Sequence, residues 1–148
     1  MKKILFTLIQ WTWALPQTLI GLILYFLYRK NSHFSYHGSV VTLWDKPGSI
    51  SLGFFLFLCA DPYPNVRAHT LEPMIVHEYG HSIQSLLLGP FYLLIIGLPS
   101  FLWANLKVCH TYRKKNNLSY FSLYTETWAN KLGEMVTKEK SIGRIFID

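Results

Sequence analysis

Residues 4–28 and residues 82–106 contain no charged side chain. Each run exceeds the about 20 apolar residues that carry a helix across the hydrocarbon core of a bilayer. In a chain of 148 residues they leave room for one domain with one core, and they commit much of it to helices shielded from water by protein or lipid. The rest of the composition points the same way. Charged residues make up 15% of the chain and hydrophobic residues 51%, whereas soluble domains average about 25% charged. The expected fold is mainly α and membrane-associated: two long apolar helical segments, a helix carrying the motif described below, a small β-hairpin and a C-terminal amphipathic helix.

The net charge is +6, and the basic residues are not scattered. Lys2 and Lys3, Arg29 and Lys30, and Lys107, Arg113, Lys114 and Lys115 flank the apolar runs. Basic flanks of this kind meet anionic lipid headgroups, so the expected partner is a lipid bilayer and the expected location the cell membrane. No nucleic-acid partner is expected, because no recognised binding motif accompanies the charge. Cys59 and Cys109 form no CxxC pair and read as free thiols.

Taken in order, residues 4–28 read as an uncleaved anchor. A signal peptide would need a cleavage site at Thr12-Trp13-Ala14, which is poor, and the apolar run continues beyond it. Pro16 and Gln17 predict a kink in its middle. Residues 31–39, with His33 and His37, read as a polar loop. Ser39–Trp44 and Ser49–Leu58 read as two strands of a hairpin around the turn residues Asp45-Lys46-Pro47-Gly48, with an irregular loop at Asp61–Asn65.

His77-Glu78-Tyr79-Gly80-His81 carries the chemistry. On a helix, residues four apart lie about 40° from one another around the axis, so both imidazoles leave one face and can share one metal ion. Two imidazoles and one carboxylate suit zinc with a fourth position open to water. Glu78, next to the first histidine, is placed to take a proton from that water. The helix is expected to start between Thr70, a capping residue, and Pro73, and to run to about Leu88, with His77, His81 and Gln84 on one face. At Gly89-Pro90 the chain either kinks and continues or turns back as a helical hairpin.

A third ligand must come from elsewhere. The downstream candidates are His110, Glu126, Glu134, Glu139 and Asp148. Glu126 is the sole charge between Asn116 and Asn130 and lies among aromatics that should bury it. A buried carboxylate without a partner is costly, and a metal would satisfy it. Asn130, one turn on, can hydrogen-bond a histidine ligand and fix its tautomer. Both residues fall in a final helix, roughly 119–137, whose expected apolar stripe is Phe121, Tyr124, Trp128, Leu132 and Met135.

His77-Glu78-x-x-His81 followed by Glu126-Thr127-Trp128-Ala129-Asn130 resembles the gluzincin class of zinc metallopeptidases. The whole chain also resembles small bacterial membrane proteins with a His-Glu-Tyr-Gly-His core, in the stretches Gln84-Ser85-x-x-x-Gly89-Pro90 and Gly97-Leu98-Pro99-Ser100. The resemblance implies one Zn2+ held by His77, His81 and Glu126, Glu78 as general base, and Asn130 supporting the first histidine. It implies hydrolysis of a peptide or membrane-protein substrate that pairs with a strand near Ser51–Leu56. It also implies a residue that steadies the oxyanion, for which Tyr124, Tyr120 and Tyr112 are the candidates. Two features depart from the class. The spacing from His81 to Glu126 is longer than in the familiar soluble members, and Asn130 stands where many have Asp. The alternatives are a non-catalytic zinc-binding membrane protein and a small membrane interaction protein. The sequence does not specify an oligomeric state.

Overall fold

The structure, a computed structural model, describes residues 3–60 and 71–144. The expected loop at Asp61–Asn65, the cap at Thr70 and the candidate ligand Asp148 lie outside the described residues. The chain is mainly helical with one small sheet. Helices α1 (Lys3–Gln10) and α2 (Leu15–Leu27) lead into strands β1 (His33–Tyr36), β2 (Ser39–Trp44), β3 (Ile50–Leu52) and β4 (Phe55–Cys59). Helices α3 (Leu71–Leu88), α4 (Leu98–Asn105), α5 (Lys107–Lys115) and α6 (Tyr124–Thr137) follow.

The N-terminal run is not one anchor helix. It divides between Gln10 and Leu15, ahead of the expected kink, and Pro16 sits in the first turn of α2, where its missing N–H costs nothing. The polar residues of the run explain the division. Gln10 Nε2 donates to the Ser82 carbonyl and hydroxyl at 3.0 Å each, Gln17 Nε2 donates to Ser85 Oγ at 2.7 Å, and the Thr18 hydroxyl donates to the Gln10 carbonyl at 2.9 Å. These groups are fully buried, so α1 and α2 lie against α3 to satisfy them. Among the described residues no single helix is long and apolar enough to cross a membrane.

The sheet also differs from the expected hairpin. Its order is β1-β2-β4-β3. Ser39–Trp44 does pair with the later run, but in parallel, as Val40 to Trp44 against Phe55 to Cys59. Two antiparallel hairpins flank this pair. One is β1–β2, built from the segment expected as a loop, and the other is β3–β4. The reason is Gly53, at φ +63°, which turns the chain in the middle of what reads as one strand. β4 is thereby sandwiched and buried throughout. Leu56 and Leu58 join Val41, Ile75, Val76 and Tyr79 on the α3 side, while Phe55 and Phe57 pack with Trp11, Leu22 and Tyr25 on the α2 side. The period-two alternation of a strand places these two sets on opposite faces.

At the end of α3 the chain turns sharply. Gly89 takes φ +54°, Pro90 follows, and the helices on either side of the break are inclined by 118°. This decides for a turn over a continuing kinked helix. A π-helical turn at Leu93–Gly97 then leads into α4.

Candidate metal centre

The motif helix α3 and the last helix α6 cross at glycines. A Cβ on Gly80 would collide with the carbonyl of Ala129, and one on Gly133 with the carbonyl of Val76. The two backbones therefore touch at the level of His77 and His81, and Glu126, one turn before Ala129, is brought against both imidazoles. His77 Nε2 lies 3.1 Å and His81 Nε2 3.4 Å from the same oxygen, Glu126 Oε2. The three ligand atoms all lie within 4.8 Å of one another. Exposure is 2% for His77, 4% for Glu78, 7% for His81 and 1% for Glu126.

The rings are aimed from behind. His77 Nδ1 is 2.8 Å from Asn130 Oδ1, and His81 Nδ1 is 2.7 Å from Gln84 Oε1. An amide oxygen only accepts, so each Nδ1 donates to its amide, and Nε2 is the ring atom turned to the centre, where it meets Glu126 Oε2. The amide of Gln84 is itself fixed, because its Nε2 donates to the Thr125 carbonyl at 2.8 Å. The expected support of His77 by Asn130 is present. Gln84 gives His81 the same support without being marked by the motif; its only signal in the sequence is that it follows His81 by three positions on the same face.

His77, His81 and Glu126 form a buried group that can hold a metal ion. Two further observations bear on the fit. Glu78 Oε2 is buried and, among the described residues, has no hydrogen-bond partner, which a polar occupant of the centre would correct. The charged groups of the centre also act on one another. Burial pushes the Glu78 carboxyl above its ordinary range and Glu126 adds to this, against the opposing pull of the two histidines. Burial also acts to raise Glu126, but His81 and His77 outweigh it and hold that carboxyl well below the carboxylate range. Burial lowers the imidazolium of His81, yet the Glu126 carboxylate beside it prevails and lifts its pKa to about 9.

The structure separates the three tyrosines. Burial first, then the charges of Glu126 and Glu78, push the Tyr120 hydroxyl well up, so it borders the centre. Tyr124 is exposed and donates to the Ile95 carbonyl at 2.6 Å, and Tyr112 is exposed near Trp103 on α5. Neither stands at the metal group. Phe121 closes the centre from the same segment, its ring edge-on to His77 with centroids 5.1 Å apart. Tyr92, unmarked in the sequence, is buried near Glu78 and Glu126 and donates to the Ser51 carbonyl of β3 at 3.2 Å. The other ligand candidates are elsewhere: His110 is exposed on α5, Glu134 accepts from the Ser141 hydroxyl, and Glu139 accepts from the Tyr36 hydroxyl.

No protein-family model matches the chain, and neither curated proteins nor solved structures give a match.

Proposed function

We propose that the chain is a zinc metallopeptidase that hydrolyses peptide bonds with Glu78 as general base. One observation carries the reading: two imidazole Nε2 atoms and one carboxylate oxygen converge beside a buried glutamate, one oxygen of which lacks a partner among the described residues. Three protein ligands with a fourth position left to water are the donor set of a catalytic zinc. Zinc held there would lower the pKa of water and polarise the scissile carbonyl.

The chain's own residues account for the remaining steps. Glu78, with proton affinity raised by burial, takes the proton of the attacking water and delivers it to the departing amine. Tyr120, bordering Glu126, is the candidate donor to the oxygen that gains charge, in place of Tyr124 or Tyr112. β3 is an edge of the sheet beside α3, and an extended substrate would add to it as a further strand. The Tyr92 hydroxyl donates to the Ser51 carbonyl of that strand and lies near Glu78.

The test combines metal analysis with turnover. Stoichiometric zinc is expected in the wild type, with loss in His77→Ala and Glu126→Ala. Glu78→Gln should retain zinc and lose cleavage of a peptide library. Cleavage by Glu78→Gln at the wild-type rate would rule out the mechanism. The near-complete enclosure of the centre favours, as the second reading, an ion held without catalysis. Zinc in the wild type with no cleavage of any library would select it.

A further inference from the structure

α1, α2 and α4 each leave one side uncovered, and the uncovered sides are apolar. On α2, Ile23 and Phe26 stand out from the protein, while Gln17, Thr18 and Gly21 face inward. Leu94, Leu98 and Phe101 repeat the pattern from the π-helical turn into α4, at spacings of four and three that define one helical side. The two stripes are joined where α2 meets the end of α3. Gln17 Nε2 donates to the Gly89 carbonyl at 2.9 Å, and the Trp13 indole lies over Gly89 with Phe91 exposed beside it. Monomeric soluble proteins rarely expose a contiguous apolar area beyond a few hundred Å2.

We infer that this surface docks laterally into an anionic lipid bilayer. Charge selects the occupant. α1, α2, α4 and α5 contain no acidic residue. Lys3, Arg29, Lys30, Lys107, Lys114 and Lys115 stand exposed at their ends. A second copy placed face to face would bring these like charges together, whereas phosphate headgroups neutralise them. The contact is made by the sides of helices. α2, at 13 residues, rises about 20 Å, short of the about 30 Å of a hydrocarbon core. α4 also ties this surface to the metal group. Its other side holds the loop and helix of the third ligand, through Ser100 to the Thr125 hydroxyl at 2.8 Å and Trp103 Nε1 to the Tyr120 carbonyl at 2.9 Å. The inference rests on exposure and charge, and it stands whether or not the centre is a peptidase.

Vesicle flotation of the full chain, diluted from detergent, tests it. The protein should float with vesicles of phosphatidylcholine mixed with phosphatidylglycerol, more weakly with phosphatidylcholine alone, and should stay bound through a high-salt wash. Leu94→Glu combined with Phe101→Glu should lower the bound fraction about tenfold or more. Lys114→Glu with Lys115→Glu should remove the preference for the anionic vesicles. Lys46→Glu, on the turn after β2, should change nothing. Circular dichroism would establish that each variant is folded. Wild-type protein that stays in solution with both kinds of vesicle would overturn the inference. So would a detergent-free dimer, seen by light scattering, that the Leu94→Glu and Phe101→Glu pair converts to monomer.

Discussion

Gln84 and Asn130 perform one task from two helices: each holds an Nδ1–H so that the opposite ring nitrogen faces the centre. Removing such a support costs metal affinity about 10–100-fold. Gln84→Leu is expected to weaken zinc binding on that scale in a chelator competition, while Lys131→Ala, on the exposed side of α6, leaves it unchanged. Equal affinities for Gln84→Leu and wild type would remove Gln84 from the site. The titration of the group has a definite sign. His81 is raised from its ordinary 6.5 to about 9. Its pairing with Glu126 therefore stabilises the metal-free fold fully below pH 6.5 and is lost as pH rises through about 9. The lowered carboxyl of Glu126 contributes above its ordinary 4.5, and that contribution goes only as pH falls through its lower folded value. Thermal melts in chelator should thus fall between pH 6.5 and 9. Melts with zinc should not, since the ion replaces the proton as the positive partner of Glu126 and binding strengthens as protons leave. Parallel curves with and without zinc would argue against ligation by His81.

Among the helices, the contact of α3 with α6 decides whether a site exists. It depends on two glycines whose roles are steric, since both lie in ordinary helical stretches. Gly80→Ala would drive a Cβ into the Ala129 carbonyl. Backbone cannot yield as a side-chain tip can, so a cost of about 1–3 kcal/mol is expected, together with loss of zinc as Glu126 is pushed back. Gly97→Ala is the contrast. Its nearest neighbour would be Leu93 Cδ2, in the same π-helical turn, at 3.6 Å, an ordinary contact, and exchanging helical Gly for Ala gains about 0.5–1 kcal/mol. Urea denaturation of the two variants checks both signs. α6 also shows where helical periodicity misleads. The stripe of Phe121, Tyr124, Trp128, Leu132 and Met135 predicts the buried side, but Tyr124 and Met135 are exposed. The buried set is Thr125, Glu126, Ala129, Leu132 and Gly133. A helix that must approach another to backbone contact buries its small residues and its ligand. Its large apolar residues are displaced to the flanks, where Trp128 packs half-buried against the core.

Across the whole molecule, the metal group sits between elements far apart in sequence, so an ion there would link α3 and α6. A metal ion that binds only the folded chain would stabilise it by mass action, by about 4 kcal/mol at a thousandfold excess over Kd. Chelation should therefore lower the melting temperature of the wild type and leave that of Glu126→Ala unchanged, as differential scanning fluorimetry would report. An equal shift in both would place the effect outside this group.

The sequence by itself determined the local chemistry. The spacing of His77, Glu78 and His81 puts two imidazoles on one side of any helix that contains them. A lone carboxylate in an uncharged segment has few alternatives to a partner, so Glu126 and its neighbour Asn130 were legible as well. The motif helix was legible to its last residue, because Gly89-Pro90 stops it there. Tertiary structure alone decided which apolar run lies against which element. Residues 4–28 read as a membrane anchor because hydropathy sums over all sides of a helix. Gln10, Gln17 and Thr18 gained meaning only once Ser82, Ser85 and Gly53 stood opposite them. Strand direction was likewise undetermined, since alternation marks two faces and is silent about which neighbour a strand takes. The positions of Tyr112 and Tyr124 away from the metal group, and the work of Gln84, followed from contacts that no spacing along the chain encodes.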